Sequence, residues 1–182
     1  MLIAITAATG VDIAIKLLEK LKEKEIFTEL IISKIAEEII AVETNYTISD
    51  IRSLAHKNYE VDDFKAPPAS GSYKIDSMII VPCSMKTLAA IANGYADNLI
   101  TRAADVMIKE KRKLILVVRE SPLSVIHLEN MLKLARIGVI IAPPIPSYYI
   151  KPKSVNDLIE YTVGRLLDQM DIESNIKRWG SE

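Results

Sequence analysis

The chain has 182 residues, 49% of them hydrophobic, which is the length of one ordinary domain with ample material for a core. Its 23 Lys and Arg nearly balance 24 Asp and Glu, so no net field exists to hold a polyanion, and nucleic acid is a poor partner. The single cysteine, Cys83, excludes an internal disulfide framework, the two histidines His56 and His127 make no Cys/His zinc pattern, and the apolar run 137–146 is broken by Gly and Pro and too short for a membrane span of about 20 residues.

Residues 2–7 form a continuous apolar run of strand length, as a strand buried on both faces requires. No cleavable signal pattern precedes it, so a cytoplasmic protein without membrane association is expected. After Thr6-Ala7-Ala8-Thr9-Gly10, the residues Ala14, Leu17, Leu18 and Leu21 recur at helical spacing with Lys and Glu on the other face, an amphipathic helix. Residues 27–32 predict a second strand, and Ser33 is a natural N-cap for a helix running towards Glu43. Residues 49–56 add a short helix. Residues 62–74 are a loop, since neither regular element tolerates the Pro, Gly and Ser density of the stretch 66–72. A third strand at 78–81 is halted by Pro82. Helices at 87–93 and 99–109, a strand at 114–118, a helix at 124–136 and a strand at 139–142 follow, the last ended by Pro143-Pro144-Ile145-Pro146. Ser154 caps a long helix through about Met170, and a polar tail from about residue 171 carries the only tryptophan, Trp179.

Strands alternating with helices imply parallel pairing with right-handed crossovers, so the expected fold is one three-layer, doubly wound α/β domain over 1–182, without repeat or linker. Ligands in such sheets bind beyond the carboxyl ends of the strands, here the segments 6–10, Ser33, 83–87, 119–122 and 143–149.

The first of these turns is rich in small residues and opens directly into a helix, whose N-terminal amides and dipole favour an anion or the edge of a flavin. It has neither the full G-x-G-x-x-G pattern nor a Walker lysine, and tight strand-to-helix packing alone also accounts for it. Pro82-Cys83-Ser84-Met85-Lys86-Thr87 sets two hydroxyls and an amine at the end of a buried strand, able to bond phosphate, ribityl hydroxyls or an isoalloxazine edge, or equally to form an N-cap beside a solvated lysine. Cys83 itself reads as a small buried thiol rather than a nucleophile. Arg102, Lys109, Arg119 and Arg165 lie in or beside apolar segments. Arg119 follows its strand directly and precedes Glu120-Ser121-Pro122, which should bring it out at the ligand edge with a carboxylate beside it. Arg165, inside Val163-Gly164-Arg165-Leu166-Leu167, needs an anionic partner, either a structural acid or a ligand. Lys109 begins the charge run 109–113, which also reads as a solvated helix end.

These segments occur together and in the order of a known family. Ser33-Lys34, Glu43-Thr44, residues 66–72, Pro82-Cys83-Ser84 with Lys86-Thr87-Leu88, and Arg102-Ala103-Ala104-Asp105-Val106 are followed by Lys109-Glu110, Val118-Arg119-Glu120 with Pro122-Leu123, His127-Leu128, Pro143-Pro144, Tyr149 with Pro152, and Arg178-Trp179. From Leu2 to Trp179 the chain resembles the UbiX-type flavin prenyltransferases, flavoproteins related to phenylacrylic acid decarboxylase-like proteins. The resemblance implies a Rossmann-like fold and a metal-independent alkyl transfer. Dimethylallyl phosphate gives its five-carbon group to N5 and then C6 of reduced FMN, and the prenylated FMN serves UbiD-type decarboxylases.

Carried over position by position, the resemblance implies flavin contacts at Ala7, Ala8, Thr9, Ser33, Ser84, Met85, Lys86, Thr87 and Arg102. Prenyl phosphate contacts fall on Lys109, Arg119, Tyr149 and Arg165; Glu43 lies by the flavin reaction centre, and Glu120 handles a proton near the leaving phosphate. Such a site must neutralise phosphate while tolerating an allylic cation, and the faces of Phe64 and Tyr149 meet the second demand; Phe64 also reads as a plug under the proline loop. Homo-oligomers, trimers assembled into a dodecamer, are implied as well. Three departures bear on substrate preference: Ala7-Ala8-Thr9 stands where the family has Gly-Ala-Ser, Phe64 where tryptophan is common, and Ile150 where histidine is common. An FMN-dependent cysteine decarboxylase of related fold is a competing reading, against which stand the absence of its Asn-x-x-Met-Trp motif and of a histidine at a strand end. A flavin carrier without chemistry of its own is a third.

Overall fold

Alternation along a strand decides which face each residue buries. The computed structural model describes residues 1–180, so the last two residues of the expected domain lie outside the described residues. In β1 (Leu2–Ile5), Leu2 and Ala4 enter one apolar cluster while Ile3 and Ile5 enter another. The same alternation divides Met78 and Ile80 from Ile79 and Val81 in β4 (Ser77–Cys83), and Leu114 and Leu116 from Ile115 and Val117 in β5 (Lys113–Val118). Both faces of these strands are covered, which is why each reads as an unbroken apolar run.

With β2 (Glu29–Ile32), β3 (Lys57–Tyr59) and β6 (Ile140–Ile141), the strands form one sheet in the order β3-β2-β1-β4-β5-β6, every pairing parallel. Residues of α1 (Val11–Glu23), α2 (Lys34–Glu43), α3 (Ile48–Arg52) and α7 (Val155–Gln169) cover one face. Those of α4 (Met85–Ala92), α5 (Leu99–Lys109) and α6 (Val125–Arg136) cover the other. The fold is the doubly wound three-layer arrangement expected from the sequence. Strand order reverses between β1 and β4, so a crevice opens at their carboxyl ends.

Two elements differ from expectation. The short helix stops at Arg52, and His56 and Lys57 then donate their backbone N–H groups to the Thr28 carbonyl, turning the chain into an edge strand. That strand, Lys57-Asn58-Tyr59, is exposed apart from half-buried Tyr59, so it carries no apolar alternation to announce it. Pro82 does not halt β4. Register shifts between Ile80 and Cys83, the kind of irregularity at which a residue without an N–H fits, and the Pro82 carbonyl accepts from both the backbone N–H and the hydroxyl of Thr6.

Candidate functional site

The crevice at the strand-order reversal encloses about 580 Å³, a volume suited to a cofactor-sized ligand. Thr6 shapes its floor: its Oγ1 donates to the Pro82 carbonyl and accepts from the Ser84 N–H, both at 2.9 Å, tying the tip of β1 to that of β4. Ser33 caps α2 by accepting from the Ala36 N–H, and Ser84 caps α4 by accepting from the Thr87 N–H while donating its hydroxyl to Thr87 Oγ1. These caps bring the first residues of two helices, of ten and eight residues, into the crevice wall, where amides and dipoles favour an anion. Ile35, Val61, Met85 and Ile100 supply apolar lining for a flat ring, and Glu120 reaches the same space. Lys34 pairs with Asp62, and Lys86 with Asp97 at 2.8 Å, among the lining residues. An anionic, largely aromatic group such as FMN fits this mixture of apolar walls, hydroxyls and helix ends.

Of the other expected flavin contacts, Ala7 lines the crevice, while Ala8 and Thr9 occupy the same turn outside its lining. Arg102 donates Nε to the Ala69 carbonyl at 3.0 Å and pairs with Asp105, holding the proline loop against α5. Glu43 meets the start of α1: its Oε2 accepts from Gly10 N at 2.9 Å and Val11 N at 3.4 Å. Gly10, at φ 96°, has no side chain with which to cap that helix, so the anion expected at this turn is the protein's own carboxylate. Glu43→Ala therefore loses about 1–2 kcal/mol of stability in urea denaturation, as removal of a helix cap does. A Glu43 that served chemistry alone would leave the denaturation midpoint where it was.

The expected phosphate contacts divide. Arg119 donates its N–H to the Cys83 carbonyl at 3.2 Å, beside the Ser84 turn, and its guanidinium has no ion-pair partner among the described residues. The carboxylate of Glu120 accepts from Ser121 N at 2.9 Å. Lys109 ends α5, only four residues before β5 begins, and so lies at the amino edge of the sheet, opposite the crevice. It pairs with Glu110 at 2.5 Å above Gly71, where an added Cβ would collide with that pair. Tyr149 and Arg165 line a separate cleft of about 420 Å³ with Tyr161, Lys177, Arg178 and Trp179. There the Tyr149 and Tyr161 hydroxyls share a hydrogen bond that raises the Tyr149 pKa, and Trp179 meets the Tyr149 ring edge-on at 5.2 Å between centroids.

Arg165 has a structural acid as partner, Asp168 at 3.2 Å, and its side chain is half exposed. The apolar stretch around it is one buried stripe, Val163, Leu166 and Leu167, with Arg165 facing away, so the burial cost anticipated from its neighbours does not arise. Phe64 is 49% exposed and lines neither cleft, so it plugs no core. Cys83 is fully buried, and burial pushes its thiol pKa up, which suits packing and not nucleophilic attack. Both histidine rings are engaged: His56 accepts from Thr28 N, and His127 accepts from Ser124 N at the start of α6. No group of three or more His, Cys, Asp or Glu side chains that could hold a metal occurs among the described residues. Sequence reasoning placed Thr6 at the ligand edge but missed Ile35, Val61, Asp97, Asn98 and Ile100 as crevice residues. Only the winding order brings residues 61 and 97–100 to the tips of β1 and β4.

The flavoprotein family matches residues 1–167. The flavin prenyltransferase UbiX of Methanocaldococcus jannaschii is 52% identical over 182 residues, covering all of this chain and 98% of that protein. The crystal structure of AnUbiX (PadA1) in complex with FMN and dimethylallyl pyrophosphate superposes with a TM-score of 0.97 at 49% identity, covering 100% of this chain and 97% of that one. A dodecameric FMN-dependent UbiX-like decarboxylase from Escherichia coli O157:H7 follows at TM-score 0.95 and 46% identity, with both chains fully covered. The cysteine decarboxylase TvaF, by contrast, matches at 16% identity with a TM-score of 0.64, which is a likeness of fold alone. A match of this depth over the whole sequence, joined to a crevice built for a flavin, makes the chain a member of the UbiX flavin prenyltransferase family within the flavoproteins.

Proposed function

We propose that this protein is a flavin prenyltransferase that joins a dimethylallyl group from dimethylallyl phosphate to reduced FMN, giving prenylated FMN for a UbiD-type decarboxylase. The observation that carries the reading is the convergence of Ala7, Ser33, Ser84, Met85, Lys86, Thr87 and Glu120 on one crevice at the strand-order reversal. Reduced FMN supplies two nucleophilic positions, N5 and C6, between which the five-carbon unit closes a fourth ring. The chain supplies the rest. Helix ends and hydroxyls of Ser33, Ser84 and Thr87 hold the flavin, and Ile35, Val61 and Ile100 keep water from its ring. Arg119, with Lys109, Tyr149 and Arg165, neutralises the departing phosphate, and Glu120 moves a proton near it.

Lys109, Tyr149 and Arg165 lie outside the crevice of their own chain, so neighbouring subunits complete the site in this reading, within a trimer-based dodecamer. Two observations support assembly. The UbiX-like protein of Escherichia coli O157:H7 is dodecameric, and α6 turns Val125, Ile126, Leu128 and Leu132 outward, each at least half exposed. Residence in the cytoplasm belongs to the same reading; no helix among the described residues is long and apolar enough to cross a membrane.

The test is incubation of the protein with reduced FMN and dimethylallyl phosphate without oxygen, followed by mass analysis of the flavin. A flavin heavier by one C5H8 unit is expected. Unchanged flavin together with decarboxylation of a cysteine peptide, or tight flavin binding without turnover, would overturn the reading.

A further inference from the structure

The stretch after α7 is a fastened strap. Its first anchor is apolar: Ile176 seats directly on Gly164 in α7, where any added Cβ would overlap the isoleucine side chain. Gly164 is otherwise a poor choice inside a helix, about 1 kcal/mol worse than alanine, and the close approach of Ile176 explains why no side chain stands there. The second anchor is polar and centres on Asp168. Its Oδ1 accepts from Ser174 Oγ at 2.6 Å and from Arg178 NH2 at 3.0 Å, while its Oδ2 accepts from Arg178 NH1 at 2.8 Å and from Arg165 NH1 at 3.2 Å. The third anchor is aromatic, the edge-on contact of Trp179 with Tyr149.

Asp168 thus holds Arg178 in a two-pronged grip and touches Arg165 with the same carboxylate, while only 15% of its own side chain is exposed. Both arginines face the cleft that also carries Lys177, Tyr149, Tyr161 and Trp179, and Asp168 stands behind that lining. Arg178, with Ser174 and Arg165 beside it, holds the Asp168 carboxyl down to a pKa of about 2, so the grip stays charged at any working pH. Two unsupported arginines would repel each other and swing freely. With one shared carboxylate they keep fixed directions, and a bidentate arginine loses little freedom on meeting a phosphate.

We infer that Asp168 is a positioning residue for the prenyl phosphate: it aims Arg165 and Arg178 into the α7 cleft and ties down the strap that carries Trp179. The inference rests on Arg165 being a phosphate contact. Asp168 makes no contact with the substrate itself.

The experiment combines kinetics with the emission of Trp179, the only tryptophan. In Asp168→Asn, KM for dimethylallyl phosphate rises about tenfold or more, as misaimed positioning groups produce. The FMN dissociation constant stays within about twofold, and the anisotropy of Trp179 emission falls as the strap loosens, since the indole is already 80% exposed and what it loses is its fixed contact with Tyr149. Asp168→Glu restores part of the KM. Gly164→Ala lifts Ile176 and reproduces the KM and anisotropy changes without touching any charge, so a folding defect in Asp168→Asn cannot hide the answer. If Arg165→Ala raises KM while Asp168→Asn and Gly164→Ala leave KM and anisotropy unchanged, this inference alone is overturned. If Arg165→Ala leaves KM unchanged, the phosphate reading of Arg165 and the inference fall together.

Discussion

Arg119→Ala lowers kcat/KM for dimethylallyl phosphate by about 10²- to 10³-fold, the cost of removing one preorganised donor from a developing anion. The FMN dissociation constant changes by less than about threefold, since Arg119 is absent from the crevice lining that would hold the flavin. Geometry sets this asymmetry. The backbone of Arg119 is fixed to the end of β4 through the Cys83 carbonyl, so its side chain leaves the sheet beside the Ser84 turn, and its guanidinium is not committed to an ion pair among the described residues. A cation held at a strand end without an internal anion is available for one from outside. Arg119→Lys recovers only part of the loss, because a point charge does not reproduce a planar two-donor contact. Equal losses in prenyl transfer and in FMN affinity, read by steady-state kinetics and flavin fluorescence titration, would mean that Arg119 belongs to a flavin pocket and not to a phosphate pocket.

How much of this was legible in the sequence depends on the range over which each signal acts. The β1 run and the serines at 33 and 84 were legible because strand burial and helix capping are decided within a few residues, and the structure has all three as read. β3 was not, because an exposed edge strand is set by its neighbour: the Thr28 carbonyl recruits His56 and Lys57, and nothing in Lys57-Asn58-Tyr59 records that. The acidic partner of Arg165 was legible and is Asp168, but its burial was misread by counting sequence neighbours and not its helical face. At 3.6 residues per turn Val163, Leu166 and Leu167 share the buried side and Arg165 does not. Glu43 was recognisable as a carboxylate with a role, but its meeting with Gly10 depends on how the end of α2 lies against the start of α1. Lys109 was legible as the charged end of a helix, but not as lying at the far edge, because a helix that returns antiparallel to the sheet delivers its last residue opposite the crevice.

That last displacement leads to the largest effect expected. On the proposed roles, Glu120→Gln loses the proton carrier of the crevice and costs about 10²- to 10⁴-fold in rate, and Arg165→Ala loses a phosphate contact, so each variant alone is expected to retain on the order of 1% of activity or less. Within one chain Glu120 and Arg165 line different cavities, and neither cavity includes a residue of the other group. In the proposed reading one phosphate meets both where chains meet, and in a closed symmetric assembly every crevice meets the same surface of a neighbour. Dissociating the two variants, mixing them in equal amounts and reassembling them therefore creates sites that take Glu120 from one chain and Arg165 from another. With random pairing about a quarter of all sites receive both native residues, and activity rises to about a quarter of the unsubstituted protein. A site built within a single chain contains at least one substitution in every mixture, and its activity stays at the level of the separate variants. Mass analysis of the reassembled oligomer confirms that exchange took place, and exchange without any gain in rate would mean that Glu120 and Arg165 serve one site within a single chain and would overturn the shared site.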